Sequence, residues 1–117
     1  MTGLRPTHTS WRPSGDVLLS ERDLDLRAVR CLVVLADAGN YALAAGQLHM
    51  SQPGLTRKVM ALEARLGFAL VMHDRGRRLQ LTSRGRIVVE YGRQLLDLQQ
   101  RALEVTSEAD LRHSEAS

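Results

Sequence analysis

The sequence predicts a mainly α fold, a winged helix-turn-helix of three helices and a β-hairpin wing, followed by a long dimerisation helix. Three observations carry this prediction. Residues 26–66 hold three helical apolar periods separated by stop signals. An arginine-rich turn lies between two short apolar stretches within 68–82. A heptad-spaced apolar line then runs from Val88 to Val105. With 117 residues, 44% of them apolar and 3% aromatic, there is material for one small core and one extra element, and no room for a two-domain enzyme.

Residues 1–23 contain Pro6 and Pro13 among Thr, Ser and Gly, without a sustained period, and are expected to be a flexible tail in which only Trp11 could dock. The domain proper is expected over 24–82. From Asp25 onward Leu26, Val29, Leu32, Val33 and Ala36 recur at helical spacing, and Gly39 stops the first helix. Asn40 can cap a short second helix whose inward stripe is Tyr41, Ala44, Ala45 and Leu48, with His49 and Met50 as the turn. Ser51 opens the third helix, Pro53 is tolerated in its first turn, and Met50 and Leu55 hold the positions of a hydrophobic staple. Its inward row is Leu55, Val59, Leu62 and Leu66, and Gly67 ends it, which places the helix-turn-helix at about 41–60.

Phe68–Met72 and Leu79–Thr82 flank Asp74-Arg75-Gly76-Arg77-Arg78, the pattern of a β-hairpin with an arginine-rich tip. Thr82 or Ser83 can cap a linker helix over 83–108, with residues 109–117 left as a polar tail. In that helix Val88, Tyr91, Leu95, Leu98, Ala102 and Val105 follow at alternating spacings of three and four. Val89, Leu96 and Leu103 make a second line beside this seam. The combined stripe is wider than one small domain would cover, so self-association is expected; the bland alternative is a helix that packs along the first helix only.

Net charge is +3, but it is unevenly placed. Residues 1–54 carry five basic and five acidic side chains, 55–86 carry eight and two, and 87–117 carry three and six. The middle block therefore calls for an anionic partner. Opposite the inward row of the third helix lie Pro53, Thr56, Arg57 and Met60. An arginine there can pair with guanine, a threonine can meet a base edge or phosphate, and apolar groups can meet thymine methyls. Gln52 could read adenine from the first turn, and Ser51 with the free amides beside it can hold a phosphate. Lys58, Arg75, Arg77, Arg78 and Arg84 are added as backbone or minor-groove contacts. Arg86 extends the same track. The competing readings are a solvated charged loop for the hairpin and a surface ion pair with Glu63 for Arg57.

At these residues a family resemblance becomes plain. The stretch from Leu26 to about Leu103 resembles the DNA-binding domain and linker helix of LysR-type transcriptional regulators. The run YALAAGQLHMSQPGLTRKVMALEARLG, Tyr41 to Gly67, matches the family pattern aromatic-x-x-A-A-x-x-L-x-[VI]-S-Q-P-x-[LI]-[ST]-x-x-[IV]-x-x-L-E-x-x-L-G almost throughout, and LQLTSRG, Leu79 to Gly85, matches its L-T-x-x-G. The resemblance implies a homodimer joined through the long helices, reading an interrupted palindrome in double-stranded DNA. It carries groove and phosphate contacts to Ser51, Gln52, Pro53, Thr56, Arg57 and the wing arginines. Departures are Cys31 and Leu32 where the family has aromatics, Val71-Met72-His73 where it has Phe-x-Arg after Leu70, a wing one residue longer, and Met60 where a polar or basic residue is frequent. Members of the family continue into an effector-binding domain where this chain ends, so a regulator without that domain is expected. The alternative is a module that forms mixed dimers with a full-length relative.

Enzymatic chemistry is not expected: no nucleophile motif, glycine-rich phosphate loop or paired carboxylates occur. His8, His49, His73 and His113 have no metal-ligand spacing, so neither metal nor cofactor is expected. Cys31, the single cysteine, sits among Leu32, Val33, Val34 and Leu35 and reads as a buried thiol rather than a redox sensor. The longest apolar run, Cys31–Ala36, is too short to span a membrane, and a cytoplasmic protein is expected.

Overall fold

A computed structural model describes residues 23–72 and 78–116. Its elements follow in the order α1 (Leu26–Ala38), α2 (Tyr41–Leu48), α3 (Gln52–Leu66), β1 (Val71–Met72), β2 (Gln80–Leu81) and α4 (Ser83–Ala116). This is a winged helix-turn-helix with a long helix appended. The capping residues read from the sequence carry the helix starts. Asp25 accepts from the Arg27 amide at 3.0 Å, Asn40 from the Leu43 amide at 2.7 Å and Ser51 from the Gly54 amide at 3.0 Å. Gly39 and Gly67 stop α1 and α3 at φ of 85° and 86°, a region that residues with a Cβ seldom enter.

The α2–α3 turn closes differently. His49 takes φ 56° and ψ 43°, the position glycine usually holds, while the Met50 amide reaches back to the Ala45 carbonyl at 2.9 Å. A side chain in this conformation costs roughly 1 kcal/mol, partly offset by the entropy glycine loses on folding. His49→Gly is therefore expected to raise the melting temperature by roughly 3 °C, measured by circular dichroism. A lower melting temperature would mean that the imidazole supports the turn.

The core is aliphatic and centred on α1, which touches α2, α3 and α4. Val29, Leu32 and Leu35 of α1 are buried with Ala44, Leu55, Val59, Leu62 and Leu70. Ala28, Cys31 and Leu35 are buried as well as the expected stripe, because neighbours approach α1 from three sides and leave only a narrow face to water. The Cys31 thiol, 5% exposed, lies 3.8 Å from the Met50 sulfur, and burial pushes its pKa up, so it stays an unreactive thiol.

Two points correct the sequence reading. The strands are shorter than the apolar stretches, pairing only Val71 with Leu81 and Met72 with Gln80, because the flanking backbone is committed elsewhere. Leu79 donates to the Gly39 carbonyl at 3.1 Å, and Thr82 donates to the Leu70 carbonyl at 3.0 Å. And α4 continues past the expected end at residue 108 to Ala116, so the backbone of 109–116 is helical rather than a separate tail. Polarity stops a residue from being buried; it does not stop Ala, Leu, Arg and Glu from continuing a helix.

Candidate nucleic-acid interface

The first turn of α3 and the face that continues from it form the candidate surface. Leu55, Val59 and Leu62 are fully inward, which turns Pro53, Arg57 and Met60 outward. Ser51 and Gln52 are exposed at the helix start, and Thr56 is half-buried on its flank. Because Ser51 satisfies only the Gly54 amide, the remaining first-turn N–H groups keep the positive end of the helix open to an anion. Arg57 is exposed, and among the described residues no acid stands at ion-pair distance from it. The suggested partner Glu63 is engaged elsewhere, accepting from the Leu70 and Val71 amides at 2.8 and 3.2 Å.

Other predicted contacts stand apart from this group. Lys58 turns to the side of α3, its ammonium 4.0 Å from the Asp25 carboxylate. Arg84 lies over the Phe68 ring, 4.7 Å from its centre, beyond the C-terminal end of α3. The 15 residues of α3, about 22 Å of helix, separate it from Ser51. Arg78 is exposed at the start of the returning limb of the hairpin. Arg75 and Arg77 lie outside the described residues. Sequence reasoning missed the Phe68–Arg84 stack, for which spacing gives no signal, and the bracing role of Glu63.

On α4 the two apolar lines separate. Thr82 begins the helix, its hydroxyl accepting from the Gly85 amide at 2.9 Å and donating to the Ala69 carbonyl at 2.8 Å. Gly85, Val89 and Gly92 are buried and Leu96 is partly buried, so the second line packs on α1. A bidentate ion pair from Arg93 to Asp37, 3.1 Å at one oxygen, fastens the crossing and holds the Asp37 carboxyl below its usual range. Val88 is drawn half into this contact. Tyr91 at 61% and Leu98 at 54% exposure remain uncovered, as do Leu95, Ala102 and Val105. The helix thus packs along α1 as the bland reading had it, yet its heptad seam stays free. Among the described residues no His, Cys, Asp and Glu cluster could hold a metal, and no helix is long and apolar enough to cross a membrane.

The arrangement of α1 to β2 is matched by the family model described as "Bacterial regulatory helix-turn-helix protein, lysR family", over residues 26–86. The chain belongs to that family. Among curated relatives, the SDS degradation transcriptional activation protein of Pseudomonas sp. (strain ATCC 19151) is 49% identical over 74 residues, 62% of this chain and 24% of the relative. The regulator TfdT of Cupriavidus pinatubonensis (strain JMP 134 / LMG 1197) is 38% identical over 79 residues, 68% of this chain and 34% of its own. The LysR-family chain thus spans about a quarter to a third of the length of these relatives. Two solved structures are similar. The CbnR DNA-binding domain in its DNA complex has TM-score 0.69 and 37% identity, covering 74% of this chain and 98% of that one. The BenM DNA-binding domain with the catB site 1 DNA has TM-score 0.71 and 28% identity, covering 77% and 96%.

Proposed function

We propose that this LysR-family chain is a sequence-specific regulator that binds double-stranded DNA as a homodimer. The N-terminal half of α3 enters the major groove, and the hairpin arginines follow the phosphate backbone. One observation carries this reading. Ser51, Gln52, Pro53 and Arg57 share an uncovered face whose opposite side is core, so the side chains suited to base edges have nothing in the chain itself to bind. The similar CbnR and BenM domains were solved with DNA, which supports it. Dimerisation would proceed through Tyr91, Leu95, Leu98, Ala102 and Val105, a seam that α1 leaves free. The same seam would accept the corresponding helix of a longer relative, which keeps mixed-dimer formation as the second reading.

Salt titration tests this directly. If about five basic residues per subunit neutralise phosphates, the log of the binding constant falls against log salt with a slope of roughly −9 for a dimer, and half that for a monomer. Arg57→Ala should relax base preference by about 1–3 kcal/mol at one position, whereas Arg78→Ala should weaken all sequences alike and flatten the slope by about 1. A flat salt response would refute the electrostatic account.

A further inference from the structure

Beyond Arg57 the outward face of α3 carries no charge. Met60, Ala61 and Ala64 continue from Pro53 and Arg57 along the exposed side, and Met60 is 56% exposed. A solvent face on an isolated domain is ordinarily polar. Here the ionic side chains of that half of the helix are turned to structural work on its flanks. Lys58 faces Asp25, Arg65 donates to the Asp23 carbonyl at 3.2 Å, and Glu63 holds the Leu70 and Val71 amides. What remains is a smooth apolar strip with a thioether at its centre, beginning at a guanidinium and the positive end of a helix.

An occupant of this strip must be anionic near Ser51 and Arg57 and apolar beside Met60. The major groove of DNA meets both demands only where a pyrimidine carries a methyl group at C5, since every other major-groove edge group is a hydrogen-bond donor or acceptor that a thioether cannot satisfy. We infer that Met60, flanked by Ala61 and Ala64, is a specificity-determining residue that reads the C5-methyl groups of thymine. The inference rests on the proposed DNA binding and adds to it which bases the second turn of α3 selects. The two alanines leave room for the methyl groups, and the unbranched Met60 side chain can adapt to their position.

The test begins with the duplex that the purified full chain selects from a randomised library. Each thymine is replaced singly by uracil, which removes the methyl and leaves every hydrogen-bonding group in place. Affinities are measured by fluorescence anisotropy for the wild type, Met60→Ala and Met60→Leu. The wild type should lose roughly fourfold at one or two thymines per half-site, the worth of one buried methyl group. Met60→Ala should bind the thymine duplex about that much more weakly and be indifferent to uracil there, while Met60→Leu keeps the penalty. Because the residue is exposed, all three should melt alike and share one salt slope. Indifference of the wild type to uracil at every position, or an equal penalty in Met60→Ala, overturns the methyl reading while DNA binding stands. Failure to bind any duplex, selected or random, overturns the DNA-binding reading and this one with it.

Discussion

Gly85→Ala should cost the domain about 3 kcal/mol, lowering its melting temperature by roughly 15 °C. An added Cβ at Gly85 would stand 2.9 Å from the carbonyl carbon of Leu70 and closer still to its oxygen. Neither side can give way easily. The Leu70 carbonyl accepts from Thr82, its amide is held by Glu63, and its side chain is fully buried. On the other side, Gly85 lies in the first turn of α4, whose start is fixed by the Thr82 hydroxyl. The gain in helix propensity from glycine to alanine, about 1 kcal/mol, is smaller than this overlap. Gly92 offers a comparison within the same helix. A Cβ there meets the Val29 and Val33 methyls at 2.7 and 3.3 Å, side-chain atoms that can yield a few tenths of an ångström, so Gly92→Ala should be the milder change. Thermal melts of both variants decide the matter, and equal stabilities would mean that α4 does not ride on the Leu70 backbone.

The two glycines also mark where the sequence stopped being legible. Helix starts were readable because Asp25, Asn40, Ser51 and Thr82 act on amides two or three residues away, a local effect with a local signature. The row Leu55, Val59, Leu62 was readable for a similar reason, as one face of one helix repeats every three or four residues. Close approach leaves no comparable trace, although an isolated glycine inside an apolar helical pattern, as at Gly92, is the sign that could have raised it. The fate of Lys58 and Arg84 was unreadable as well. Their charge matched the local excess of basic residues, but what each meets depends on elements 20 or more positions distant, Asp25 in one case and the approach of α4 to Phe68 in the other. Composition assigned them to the anionic partner because it sums charges without directions. The division of α4 into a covered line and a free seam falls between these cases. The heptad spacing showed two lines, and only the packing of Val89 and Leu96 on α1 shows which one is used within the domain.

Glu63 is the residue whose loss should do most to uncouple the reading helix from the wing. Its carboxylate sits on α3 near the C-terminal end and accepts from the Leu70 and Val71 amides, both in a buried stretch that leads directly into β1. Burial and this same carboxylate push the pKa of the Tyr41 phenol up, which places the charge at the junction of α2, α3 and β1. Glu63→Ala removes the acceptor from two buried donors at once. At about 1–3 kcal/mol for each group left unmade, partly recovered by water, the expected loss is roughly 3 kcal/mol. Glu63→Gln keeps an oxygen in place and loses only the charge, so it should cost about 1 kcal/mol. Denaturant melts separate the two, and hydrogen exchange at Leu70 and Val71 should accelerate in the alanine variant before the α1 amides do. Those two amides are the first link between α3 and the hairpin. Their release would leave the α3 surface intact while freeing the angle at which the wing meets it. If Glu63→Ala and Glu63→Gln were equally stable, the carboxylate would be a solvated surface charge and the wing would be held by Thr82 and the β1–β2 pairing alone.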